Sequence, residues 1–131
     1  MSLSLAQKKA IVRKFATEPW GKGNLNVLDE VCSPNYMLGE NDHLKDLKDA
    51  IVTYRKAIPD LKIDLGELVA EGDLVAYSWT MSGTQKGAFN GIAPTGKPVK
   101  MTGITIVRFE HDKIAADQFQ SSSRSLEEQI A

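Results

Sequence analysis

The hydrophobic period of this chain changes once, near Leu61, and that change restricts the fold more than any other feature of its 131 residues. Before it, apolar residues recur at helical spacing; after it, they alternate as in strands. Leu5, Ile11, Val12, Phe15 and Ala16 fall on one side of a helix from about Ser4 to Thr17, with Ser4 as cap and Pro19 as stop. A short helix over Asn26 to Cys32 follows, then an extended run from Asn35 to Leu38. A third helix, Leu44 to Ala57, carries Leu44, Leu47, Ile51 and Tyr54 on one stripe and ends before Pro59.

Past Leu61 the pattern predicts strands at Lys62 to Val69, Leu74 to Gly83, Pro98 to Glu110 and Lys113 to Ser121. Gly66 breaks the first as a bulge would, and Glu71-Gly72-Asp73 and His111-Asp112 read as tight turns. Helices followed by strands, with no low-complexity linker, imply an α+β fold: three N-terminal helices on a curved antiparallel sheet, in a single domain over residues 1–131. A curved sheet capped by helices encloses space in which a small apolar ligand can sit.

Composition excludes several classes of partner. Sixteen Lys and Arg balance seventeen Asp and Glu, without the basic run that a phosphate backbone requires, so nucleic acid is not expected. Lys8, Lys9 and Arg13 interrupt the N-terminal apolar residues, which predicts neither a signal segment nor a membrane span and points to the cytoplasm. The single cysteine, Cys32, reads as a small buried hydrophobe. His43 and His111 stand apart from each other and from Cys32, so neither a metal site nor a cofactor is expected.

Thr84 to Lys97, TQKGAFNGIAPTGK, is long for a hairpin connection, and its glycines with Pro94-Thr95-Gly96 serve its bends. It resembles the loop of the SnoaL-like polyketide cyclases, the ester cyclase group of the nuclear transport factor 2-like superfamily, with Gln85 where that family usually has His. Pro34-Asn35-Tyr36, Ile58-Pro59-Asp60-Leu61, Ala70-Glu71-Gly72-Asp73, Arg108-Phe109, Lys113-Ile114 and Leu126 with Gln129-Ile130 follow the family in order. The resemblance implies the superfamily's cone, a homodimer or homotetramer, and an aldol ring closure driven by an Asp on the last strand. Counted from Lys113-Ile114, that Asp falls at Ser122, a neutral residue that cannot serve as a base without a partner.

Strand parity puts Ala116, Gln118, Gln120 and Ser122 on the face of the family's Asp and leaves Asp117 on the opposite one. Candidate ligand-binding residues are therefore Phe15, Tyr36, Met37 and Trp79 as apolar lining, Ile104, Ile106 and Arg108 from the long strand, and Gln118, Gln120 and Ser122 from the last. Arg108 would bind a carboxylate or enolate oxygen, or stand exposed as an ordinary strand residue. Glu40 is the alternative acid. Phe89 either plugs the cone or packs on a neighbouring subunit. Val107, Phe109, Tyr77 and Trp79 share strand faces that would need covering by a second copy. Two functions are compatible with this set. One is a binding protein for a small apolar, oxygen-bearing ligand, without the family's base. The other is a cyclase, isomerase or hydrolase using different residues.

Overall fold

The computed structural model describes residues 3–121 and 124–131. Its elements run α1 Leu5–Lys22, α2 Asn26–Val31, β1 Cys32–Leu38, β2 Asp42–His43, α3 Leu44–Ala57, β3 Lys62–Glu71, β4 Leu74–Thr84, β5 Pro98–Glu110, β6 Lys113–Ser121 and α4 Leu126–Ile130. The strands form one curled, unclosed sheet in the order β2-β1-β6-β5-β4-β3. All neighbours are antiparallel except β1 and β6, which run parallel with Cys32 opposite Ile114 and Met37 opposite Ala116.

Helix α1 starts where Ser4 and Gln7 cap each other reciprocally, at 2.8 and 3.1 Å. It does not stop at Pro19. Pro19 is buried within it, and the helix continues to Lys22 because Gly23, at φ 76°, ends it by donating to the Pro19 carbonyl, with Asn24 donating to that of Glu18. The added turn lets Trp20 meet Tyr54 of α3 at 5.8 Å between ring centroids. Helix α3 and strands β5 and β6 keep the limits that their periodicity predicts. Strands β1 and β2 and helix α4 enlarge on it: the 126–130 segment buries Leu126 and Ile130.

One face of the sheet is covered by helices and the other is open. On β5 the covered set is Val99, Met101, Gly103, Thr105, Val107 and Phe109, all buried, while Ile104, Ile106 and Arg108 are exposed. Val75, Tyr77 and Phe109 join Val12 and Phe15 of α1 in one core. A second core holds Ile58, Met81, Phe89, Val99, Leu126 and Ile130. Phe89 thus packs inside its own chain, with its ring 5.1 Å from that of Tyr54. Val107, Phe109, Tyr77 and Trp79, expected to form an outer face, are the helix-covered one. The apolar residues on the open face are instead Val69, Leu74, Ile104 and Ile106.

The loop between β4 and β5 is fastened to the end of α3. Lys86 and Gly87 both donate to the Ala57 carbonyl, and a Cβ on Gly87 would lie 2.1 Å from the Lys56 carbonyl oxygen, so only glycine passes there. Gln85 is fully buried beneath this loop.

Candidate active site

The covered face brings together a carboxyl group and two phenols. Asp117 of β6 is opposite Val107 of β5, Tyr77 of β4 is opposite Thr105, and Tyr36 arrives on β1 from the other side of β6. The Tyr36 hydroxyl donates to Asp117 Oδ2 at 3.0 Å. Asp117 is 7% exposed, and its Oδ1 has no hydrogen-bond partner among the described residues. Burial raises the Asp117 carboxyl to about 6, against the opposing effect of the Tyr36 hydrogen bond. Burial, with the Asp117 charge second, also pushes both Tyr36 and Tyr77 well above the usual phenol range.

Asp117 lies on the face opposite Gln118 and Gln120, as strand parity predicts, but its face is the covered one, because β6 is bulged near its start. The register shifts between Arg108 and Phe109, which pair with Ala116 and Ile114, so Ala115 has no partner of its own. Ile114 and Ala115 are both buried, and alternation resumes out of step. Asp117 and Phe119 consequently share the inner face, while Gln118 and Gln120 turn outward. The adjacent apolar pair Ile114-Ala115 is the sequence signal that could have revealed this.

The other candidates divide between the two faces. Phe15 and Tyr36 are buried together, their rings 6.4 Å apart, and Trp79 is half-buried on the same side. Met37 is half-buried and follows Tyr36 on the strand, so it points the other way. Ile104 and Gln120 line a groove of about 510 Å³ on the open face with Asp64, Ser78 and Thr80. Ile106, Arg108, Gln118 and Glu40 come together around a separate hollow of about 240 Å³, and Glu40 itself is an exposed turn residue. Ser122 lies outside the described residues.

Cys32 is buried near Asp117, and burial followed by that negative charge pushes its thiol up to about 12, so it stays protonated and unreactive. Gln85 has a different role from that of a titratable group. Its amide nitrogen donates to the Gly87 and Ala93 carbonyls at 2.6 and 3.2 Å, and its oxygen accepts from the backbone and hydroxyl of Thr95, both at 2.6 Å. Every polar atom of the side chain is used in holding the loop. Among the described residues, no three His, Cys, Asp or Glu side chains gather as a metal site would require.

Residues 10–130 match the family model of the SnoaL-like polyketide cyclases. The chain belongs to that family. No curated protein matches it. Among solved structures, TsrD from Streptomyces laurentii superposes with a TM-score of 0.87 at 24% identity, covering 99% of this chain and 98% of its own. AclR from Streptomyces galilaeus, provisionally assigned as a hydroxylase, gives 0.83 at 27% identity over 94% of this chain and 80% of its own. A protein from Acidithiobacillus ferrooxidans, provisionally assigned as a polyketide cyclase, gives 0.79 at 28% identity over 99% and 97%. The α+β fold of helices on a curled sheet is that of the nuclear transport factor 2-like proteins. No helix among the described residues is long and apolar enough to cross a membrane.

Proposed function

We propose that this SnoaL-like chain catalyses proton transfer at a carbon beside a carbonyl group, with Asp117 as the acid and base. The observation that carries the reading is the Oδ1 atom of Asp117, buried and without a partner among the described residues while Tyr36 donates to Oδ2. A buried carboxyl in this state is held near the pH at which it exchanges protons, which is what general acid and base chemistry needs. The carboxylate removes the proton, leaving an enolate and a protonated Asp117. The enolate then either attacks a second carbonyl of the same molecule, closing a ring, or takes the proton back at another carbon. Neither course requires a cofactor.

A small apolar, oxygen-bearing ligand suits this site as it suits a binding protein. The reading without a base rested on neutral Ser122, Gln118 and Gln120; Gln118 and Gln120 face the open side of the sheet, and Ser122 lies outside the described residues. Deuterium uptake by a panel of β-keto esters and lactones tests the proposal. The protein is expected to accelerate exchange at the carbon between the two carbonyls, and Asp117→Asn to reduce that acceleration by about 100-fold or more. Exchange no faster than in buffer, or an Asp117→Asn variant as active as the parent, would overturn it.

A further inference from the structure

Independently of the chemistry at Asp117, we infer that the open face of the sheet binds a second copy of this chain about a two-fold axis along β4, with Arg108 of each copy on Glu71 of the other. Val69 is 59% and Ile104 58% exposed there, and Leu74 and Ile106 stand out beside them. They occupy three adjacent strands, β3, β4 and β5, on the side that a sheet open to water fills with polar residues.

The register across these strands sets the outward side chains in rows. Glu71, Leu74 and Arg108 form the first, and Val69, Ala76 and Ile106 the second. In the third, Ser78 is opposite Ile104 on one side, while on the other β3 shifts register around Gly66. A Cβ on Gly66 would lie 2.1 Å from Ser78 Oγ, so the surface is low at that point, within the groove of about 510 Å³. Ile104 is therefore a knob, and the recess at Gly66 and Ser78 is a hole at the same height across β4.

A two-fold axis along β4 lays β5 of one copy over β3 of the other, row on row. Arg108 then meets Glu71, Ile106 meets Val69, Ile104 enters the recess at Gly66, and Leu74 packs on its own counterpart. The contact is isologous, so each of these pairs except the last is made twice. Neither the Arg108 nor the Glu71 side chain has an ion pair within its own chain among the described residues. An axis along β5 instead would set Arg108 and Lys100 against their own copies, a like-charge arrangement that opposes association. The axis along β4 has one such meeting, Lys62 with Lys100 in the row through Ser82 at the rim, and Asp64 at 3.7 Å from Lys62 offsets it.

Sedimentation equilibrium of the full chain at about 1 to 100 μM is expected to give twice the 14.4 kDa of one copy. Ile104→Glu, at a position exposed in the single chain, should keep the fold and weaken association by about 100-fold or more. The register is tested by charge. Arg108→Glu and Glu71→Arg should each dissociate about tenfold more readily than the parent, because every Arg108–Glu71 junction then joins like charges. Mixed together, the two variants are expected to form a heterodimer as tight as the parent, since both junctions again join opposite charges. A single-chain mass throughout the concentration range would overturn the inference. So would a dimer that Ile104→Glu leaves unchanged, or a mixture of the charge variants no tighter than either alone.

Discussion

Gln85 and Asp117 are both polar, both buried and both at positions where a SnoaL-like chain invites a search for chemistry, yet their surroundings differ completely. Gln85 uses two donors and one doubly accepting oxygen to clasp Gly87, Ala93 and Thr95. Asp117 has one bond, from Tyr36, and one oxygen with no partner among the described residues. A buried polar group with every valence used is a structural fastener, and its removal strands the partners it served. One with a vacant acceptor holds free energy that only a proton or a ligand can release. The loop that identifies the family is therefore architecture, and the proposed chemistry is on the last strand, five residues before the position at which the family's acid was expected.

The contrast makes opposite predictions for deleting the two side chains. Gln85→Leu leaves two carbonyls and two Thr95 groups without partners and is expected to destabilise the fold by about 3 kcal/mol, equally at pH 5 and pH 8. Urea unfolding at the two values checks this; a loss that varied with pH would break the distinction. Asp117→Asn should do the reverse. Because the folded carboxyl is raised to about 6 and the unfolded one ionises near 4, the folded state holds the extra proton between those values. Stability from this group is full below about pH 4, declines as pH rises towards 6, and stays lower above it. The variant is therefore expected to be more stable than the parent by about 2 to 3 kcal/mol at pH 8, and the advantage should vanish below pH 4. A stability difference independent of pH would show that Asp117 is held as Gln85 is.

Tyr36→Phe sharpens the picture on a smaller scale. It removes the one interaction that lowers the Asp117 carboxyl, so the midpoint should climb by about one pH unit, seen by carbon-13 titration of the side chain. An unmoved midpoint would mean that the hydrogen bond does not act on the ionised form. Lys8 offers the smallest test and an intermediate case. Its ammonium group, nearly buried, reaches the Gly72 carbonyl at 2.7 Å and Asp73 at 3.3 Å and lies 5.9 Å from the Phe109 ring centre. Lys8→Met keeps the packing and should change stability by about 1 kcal/mol or less, since the Asp73 end is exposed to solvent. A loss several times larger would place Lys8 with Gln85 as a fastener.

The architecture was legible where one period governed a segment from end to end. Helix α3 and strands β5 and β6 have the limits read from spacing, and the irregularity at Gly66 appears as a register shift between Leu65 and Leu68. Legibility failed where tertiary packing overrode a local rule. Pro19 signalled a stop, but its ring is buried and Gly23 provides the actual end. The parallel pairing of β1 with β6 joins segments too far apart for any local pattern to announce. The site was misread in the choice of face: with Ala115 bulged, it is the face of Asp117, rather than that of Gln118 and Gln120, that continues the buried side begun at Ile114. The alternation on β5 held the corrective, because Val99, Met101, Val107 and Phe109 make the more apolar set and such a set belongs under the helices.

The hydrogen bond from Tyr36 to Asp117 closes a span of 81 residues. A chain emerging from a ribosome can complete α1, α2 and α3 and stack β3 on β4 on β5 while the pair that defines the site is still divided between its first third and a strand not yet made. Strand β6, inserted between β1 and β5, is the keystone: until it arrives the sheet has a gap, and Tyr36 has no carboxylate to hold.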